Sequence, residues 1–546
     1  MRVADDERTA LLGHDQEGRV EGAPDGAKAS ARWIIPPCFV FSLLGGAAAS
    51  VEMEIYSQTA CRRVVARGTV GHLLGGLAEG GKGWAEMCRS NTAVQRETTG
   101  IITSILLVAG TLSALTAAWW GALADRKGRK VVLFAGSVAE LLEAGIMVLI
   151  LSLPERFGYR ALLLLAAFAG LSGGQLANMA VASAYLGDVA GTASKAQLLS
   201  SYEAALFAGL GLGPLLGSAL FRFTALGPRA PYLLMVICRA AYLASFPFMP
   251  ESLPPARRAR ANAPQLERRT VVQRLLDVPK DLVAPFKVLL PRKVDEGKRK
   301  NWRLLLVAIS GALLLVDTGL GPVEVLYARS KFSWGPPETG HWLSYACACK
   351  LVVLLGIMPL VRRSFKPRVS EAPQSDVRVG DGILGSSMQD GREGRREDEV
   401  MMVKSLAEKA YDLSLARWTI LAALLGYLIM LLPSPSVRHF LLTSAVVSIA
   451  AATPPALQSL ALSLAGPDDA AKVLACVSAL ATVSTTTLGP SVFGAAYVAA
   501  VEWWPEMIFG LAALWMGAAV VPLVFLRLDA GLPRQDEERG SCGLGE

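Results

Sequence analysis

Apolar residues come in long runs along this chain, each closed by a short polar break. A hydrocarbon core about 30 Å thick needs roughly 20 consecutive apolar residues for one helical crossing. Runs of that kind cover 33–51, 98–120, 131–153, 160–186, 198–221, 231–249, 304–327, 342–360, 416–432, 437–464, 472–500 and 503–526. The pattern predicts an all-α membrane protein with twelve transmembrane helices. Only the breaks Pro433-Ser-Pro435 and Glu502-Trp-Trp-Pro505 divide the last two pairs of runs.

Longer polar segments group the twelve runs into two sixes. The expected organisation is a cytosolic tail 1–32, a six-helix half 33–249, a basic linker 250–303, a second half 304–526 with a cytosolic insertion 361–415, and a tail 527–546. The linker opens Pro-Glu-Ser-Leu-Pro-Pro and holds fourteen Lys and Arg around an amphipathic piece, Val271 to Leu290, interrupted by Pro279 and Pro285. It reads either as a lateral helix on an anionic membrane face or as a solvated linker whose charges set topology. Residues 370–400 are Gly, Ser and charge without periodicity, so disorder is expected there.

An internal repeat supports the two halves. The fifth run contains Gly209-Leu-Gly-Leu-Gly213-Pro214-Leu-Leu-Gly217, and the eleventh contains Leu488-Gly-Pro-Ser-Val-Phe-Gly494. Lys195 lies 19 residues before Pro214, and Lys472 lies 18 before Pro490. Equivalent places in a six-plus-six chain are what a parallel repeat of a secondary transporter produces.

Composition agrees: 52% of residues are hydrophobic and 18% charged, against roughly 25% charged in soluble domains. The net charge of +8 does not point to nucleic acid, because the basic residues sit in loops between apolar runs and form no basic face. Most of them fall in segments on the same side as the termini, which places both termini in the cytosol. The first run lacks a small-residue cleavage site and reads as a retained helix.

A charge inside the bilayer costs on the order of 2.5–3.5 kcal/mol on insertion scales and usually faces a cavity. Seven such residues are candidates for a proton or substrate pathway: Glu140 and Glu143, Glu203, Arg239, Asp317 and Glu324, and Lys350. Glu140 and Glu143 are three apart and Asp317 and Glu324 seven apart, so each pair shares a helical face. Asp317 and Glu203 are the first choice as proton carriers, since a buried carboxyl can load and release protons near neutral pH. Arg239 or Lys350 would serve as counter-charge or as contact for an anionic solute. A structural ion pair is the competing reading for each.

Cys38, Cys238, Cys347, Cys349 and Cys476 fall in apolar runs and read as small apolar fillers. Cys61 and Cys88 share the one long outside loop, where an oxidising compartment favours a disulfide; two unrelated thiols is the alternative. Neither the cysteines nor the four histidines have metal-site spacing. No G-x-x-x-x-G-K-[ST] indicates ATP drive, no hydrolase nucleophile motif suggests an enzyme, and no cofactor is expected. Glu7-Arg-Thr-Ala-Leu11-Leu12 looks like an acidic dileucine sorting signal, which sets a vacuolar or endosomal membrane beside the plasma membrane.

Between the second and third runs stands Gly121-Ala-Leu-Ala-Asp125-Arg126-Lys-Gly128-Arg129-Lys130. It resembles the loop motif of the major facilitator superfamily, and the twelve-run layout extends the resemblance over the whole chain. The resemblance implies a carrier whose turn locks the two halves on the cytosolic side when it faces outward, with Asp125 and Arg129 as gating residues. Gly121 and Gly128 would permit close approach and a tight turn, and Asp125 would accept from the N-terminal amides of a neighbouring helix. The Gly209, Gly213, Pro214, Gly217 pattern, with Ser218 where a second glycine is usual, is similar to the bend motif of drug/proton antiporters. The fourth run lacks the arginine common in those antiporters. Cys88, Val94-Gln95, Ala184-Tyr-Leu-Gly-Asp188 and Tyr327-Ala-Arg-Ser-Lys-Phe-Ser-Trp334 resemble proton-coupled folate/heme-type carriers, their fungal relatives and tetracycline-resistance carriers. Together these imply a secondary carrier of a small organic solute, coupled to protons, working by alternating access. The antiporter motif leans to export and the folate/heme-type features to import; export is slightly favoured. A non-transporting sensor or scaffold on the same fold is the alternative from another class.

Overall fold

The structure, a computed structural model, describes residues 29–67, 84, 88, 91–154, 156–189, 195–255, 258–259, 289, 292–293, 300–365, 386–432, 436–465 and 470–526. The chain crosses twelve times. Among the described residues eleven helices are long and apolar enough to span a membrane, and the fourth crossing is made of two shorter ones. In the first half these are α1 (Ile35–Ala66), α2 (Thr92–Lys127), α3 (Arg129–Ser152), α4a (Tyr159–Leu171) with α4b (Gly174–Val189), α5 (Lys195–Phe223) and α6 (Ala230–Ser245). In the second half, α7 comprises Arg303–Val316 and Leu320–Phe332, joined by a tight 3-10 turn at Asp317–Gly319. Next come α8 (Pro336–Leu351, continued to Phe365), α9 (Ser386–Met430) and α10 (Val437–Val447 and Thr453–Ala465). The last two are α11 (Ala470–Val483 and Gly489–Ala500, joined by a wider π turn) and α12 (Met507–Phe525). Two two-residue strands, Arg292–Lys293 and Lys300–Asn301, pair in the linker.

Three expectations need correction. The first helix does not stop at residue 51 but runs to Ala66. Glu52 and Glu54 interrupt the apolar run there, yet a charge with a protein partner does not terminate a helix, and Glu54 is buried. Cys61 therefore lies on α1 and not in a long loop. The fourth crossing is broken: Gly173 (φ +87°) and Gly174 (φ +56°) turn the chain, and α2 supplies donors to the carbonyls around the break. Ser113 Oγ donates to Gly173 O (2.9 Å), Thr116 Oγ1 to Gly170 O (2.9 Å) and Trp120 Nε1 to Leu171 O (3.1 Å). That is how a membrane protein tolerates a helix break. Finally, the disorder expected over 370–400 gives way to helix from Ser386 onward. That stretch lacks apolar periodicity, but Glu, Arg, Met and Gln are good helix formers even on an all-polar surface. The amphipathic piece expected over 271–290 falls outside the described residues apart from Leu289, and the tails 1–28 and 527–546 fall outside them entirely.

The repeat is visible in the packing. Three glycines of the α5 motif meet the α1 backbone: a Cβ at Gly209 would lie 2.6 Å from Phe39 O, at Gly213 2.3 Å from Leu43 O, and at Gly217 2.2 Å from Ala47 O. Proline at 214 cannot donate to Leu210 O, and that carbonyl faces Gly46, the small residue of α1 that makes room for it. In the second half the equivalent helices meet the same way, since a Cβ at Gly489 would lie 2.5 Å from Val316 O of α7 and 3.0 Å from Gly319. Small residues at these crossings let the backbones touch, which is how helices associate where lipid removes the hydrophobic drive.

Candidate functional site

A cavity of about 900 Å³ lies within the first half. It reaches from Ile34 and Pro37, at the end where α1 begins, to Glu52 and Tyr232 deeper in the bundle. Helices α1 to α6 line it, and Thr485 and Thr486 of α11 close one side. Most of its wall is apolar or aromatic, which makes its four charged residues, Glu52, Glu140, Glu143 and Arg239, conspicuous.

Arg239 Nη2 ion-pairs with Glu140, and its guanidinium lies 3.4 Å from the centroid of the Phe41 ring. Glu140 also accepts from Asn178 Nδ2 at 2.7 Å. Glu52 accepts from the Tyr56 hydroxyl. Glu143 is held least: Ser172 Oγ approaches it at 3.5 Å, while that hydroxyl lies 2.7 Å from Ala169 O.

Asp317 occupies the tight turn of α7 that packs against Gly489. Its Oδ2 accepts from Tyr427 Oη of α9 at 2.8 Å, while Oδ1 is buried with no hydrogen-bond partner. Glu324 is half-buried and Lys350 exposed, and neither makes a hydrogen bond or ion pair among the described residues. Glu203, expected beside Asp317 as a proton carrier, is exposed on α5 and does not line the cavity. Its position in an apolar run could not reveal which way the helix is turned.

The turn between α2 and α3 is tied to its own half. Arg129 bridges Asp125 (2.8 Å) and Asp188 (3.3 Å). The amides that open α3 do not go to Asp125 as expected: Glu251 accepts from Arg129 N (2.9 Å) and Lys130 N (3.1 Å). Gly128 (φ +109°) is required there, since a Cβ would lie 2.3 Å from Glu251 Oε2. Gly121 has nothing within 4 Å of a Cβ position, so close helix approach is not its role here. Arg126 offers its carbonyl to Arg258 Nε at 3.2 Å.

The two halves meet at the opposite end. Arg329 of α7 forms a buried ion pair with Glu54 of α1, which also accepts from Gln58 Nε2 at 3.0 Å. Tyr497 Oη donates to Gln95 Oε1 (3.1 Å), Arg96 pairs with Glu502 (3.1 Å), and Ser218 Oγ donates to Pro337 O (3.3 Å). Close by, Cys61 and Cys88 are joined in a disulfide, Cα–Cα 5.6 Å, which ties the end of α1 to the segment leading into α2. Among the described residues no group of His, Cys, Asp and Glu could hold a metal ion.

A twelve-crossing chain of two similar halves, joined at one end over a cavity, has known counterparts. The sequence profile of the Major Facilitator Superfamily matches residues 35–369. The chain belongs to this superfamily. An uncharacterized membrane protein of Schizosaccharomyces pombe is 24% identical over 462 residues, covering 78% of this chain and 70% of its own. The MFS-type transporter avaJ of Aspergillus versicolor is 23% identical over 367 residues, 66% of this chain and 68% of its own. Among solved structures, the human organic anion transporter MFSD10 superposes with a TM-score of 0.56 at 16% identity, covering 92% of this chain and all of that one. The nucleoside transporter NupG gives 0.53 at 12% identity, over 90% and 97%. This facilitator is therefore a secondary transporter and not an enzyme. Glu52, Glu54, Arg329, Glu251 and Tyr427 were not singled out from the sequence. The first two stand just beyond the apolar run 33–51, and Arg329 stands inside the Tyr327–Trp334 segment quoted above.

Proposed function

We propose that this facilitator moves a small organic solute by alternating access, coupled to protons through Asp317, and that its working direction is export. With the termini in the cytosol, as the distribution of Lys and Arg supports, the cavity faces the cytosol and the closed end faces outward. The observation that carries proton coupling is the Asp317 carboxyl: one oxygen satisfied by Tyr427, the other buried without a donor. An acceptor left without a donor inside the protein is a docking place for a proton. Its position matters as much as its chemistry, because the turn at Asp317–Gly319 packs directly on Gly489 of α11. Movement of α7 against α11 thus changes the surroundings of the same carboxyl that takes the proton.

The test is an untargeted mass-spectrometric comparison of cells and medium, with the full-length wild type and Asp317→Asn expressed at equal levels. Asparagine keeps an acceptor for Tyr427 but cannot release a proton. The wild type is expected to shift a compound from cells to medium in a manner that an imposed pH gradient changes, and Asp317→Asn to reduce that flux at least tenfold. Wild-type flux and wild-type pH response in Asp317→Asn would refute the proton role of this residue.

A further inference from the structure

We infer that the cavity of the first half takes an amphipathic organic cation, with its charged nitrogen held at Glu143. This deepens the carrier reading and rests on it. Three carboxylates line the cavity against one guanidinium. That guanidinium is already committed twice, to Glu140 through an ion pair and to Phe41 through a ring contact at 3.4 Å. An anionic solute would have to displace Glu140 from Arg239 and leave a second carboxylate facing it. A cation meets no such competitor. Glu140 and Glu52 have close donors in Arg239, Asn178 and Tyr56, whereas Glu143 has only the long Ser172 approach.

The rest of the wall fits the same ligand. Glu143 lies one helical turn from Met147 on α3, and both line the cavity together with Tyr202, Met235 and Tyr242. Aromatic rings attract a cation through their faces, and thioether side chains adapt to varied apolar shapes. The volume of about 900 Å³ lies within the range of about 300–1,000 Å³ typical of small-molecule sites. A rigid permanent cation with an apolar shell therefore matches charge, lining and size together.

The probes are tetraphenylphosphonium and tetraphenylborate, nearly identical in shape and opposite in charge, with phenyltrimethylammonium as a smaller cation. Each is titrated separately by calorimetry into the purified full-length protein. Both cations are expected to bind and the borate not. Glu143→Gln is expected to weaken cation binding at least tenfold, and Glu143→Asp, which keeps the charge, to retain most of it. Binding of the borate as tight as that of the phosphonium, no cation binding by the wild type, or unchanged cation binding in Glu143→Gln overturns the proposal. Should Glu143→Gln fail to fold, the cation-against-anion contrast in the wild type and the behaviour of Glu143→Asp decide. The readout needs neither flux nor Asp317, so failure here leaves the proton-coupled carrier standing, and failure of the flux experiment leaves this site standing.

Discussion

Removing one partner of the Glu54–Arg329 pair should loosen the closed end of the carrier by a measurable amount. The side chains are 5% and 3% exposed, so little solvent is available to replace a lost partner. Breaking a pair this buried by removing one member costs about 3–5 kcal/mol, because the other charge is left uncompensated. In Arg329→Ala, Glu54 keeps Gln58 at 3.0 Å, which argues for the lower end, about 3 kcal/mol. Since every 1.4 kcal/mol is about tenfold, the closed-to-open ratio at that end falls by roughly two powers of ten. A preference of about 99 to 1 becomes nearly even. Spin labels report this directly, with one at position 226 between α5 and α6 and one at position 503 between α11 and α12, since Leu226 and Trp503 are both exposed. In Arg329→Ala a second, longer distance population should appear with weight comparable to the first. The double variant Glu54→Gln/Arg329→Gln, which removes both charges of the pair, should show a smaller shift than either single substitution. A single unchanged distance in Arg329→Ala, with the protein folded, would refute the argument that this pair holds the halves together.

Two further outcomes follow from packing and charge. Gly217→Ala places a Cβ 2.2 Å from Ala47 O, a backbone atom that cannot step aside, and overpacking of this kind costs about 1–3 kcal/mol. The melting temperature should fall, whereas Gly121→Ala, with open space around it, should leave it unchanged or raise it slightly; equal melting of the two variants would contradict the crossing geometry. At the closed end Glu506, in the loop before α12, feels burial that favours its neutral form, but the hydrogen bonds from Lys331 (3.0 Å), the backbone and Tyr327 (3.2 Å), with the Lys331 charge, together outweigh it and hold its pKa below the usual 4.5. A depressed pKa contributes stability above the unfolded value that is lost as pH falls through the folded one. The wild type should therefore melt higher than Glu506→Gln at pH 7, with the gap closing below about pH 4.5; a gap independent of pH would show that Lys331 does not favour the charged form.

The sequence by itself determined the number of crossings, the six-plus-six division and the superfamily, because each depends on local length, hydropathy or a short motif, but not the end of α1 or the break in the fourth crossing. It also placed Glu140, Glu143, Arg239 and Asp317 inside the bilayer, where a charge calls for a partner. It did not determine those partners. That Arg239 goes to Glu140, that Tyr427 goes to Asp317, that Glu251 and not Asp125 caps α3, and that Glu203 faces away from the cavity all depend on how each helix is turned about its axis. An apolar run flanked by lipid on one side and protein on the other carries only a weak record of that rotation, since both surroundings accept the same side chains. The pairing of α1 with α7 through Glu54 and Arg329, 275 residues apart, exists only once the two halves have docked.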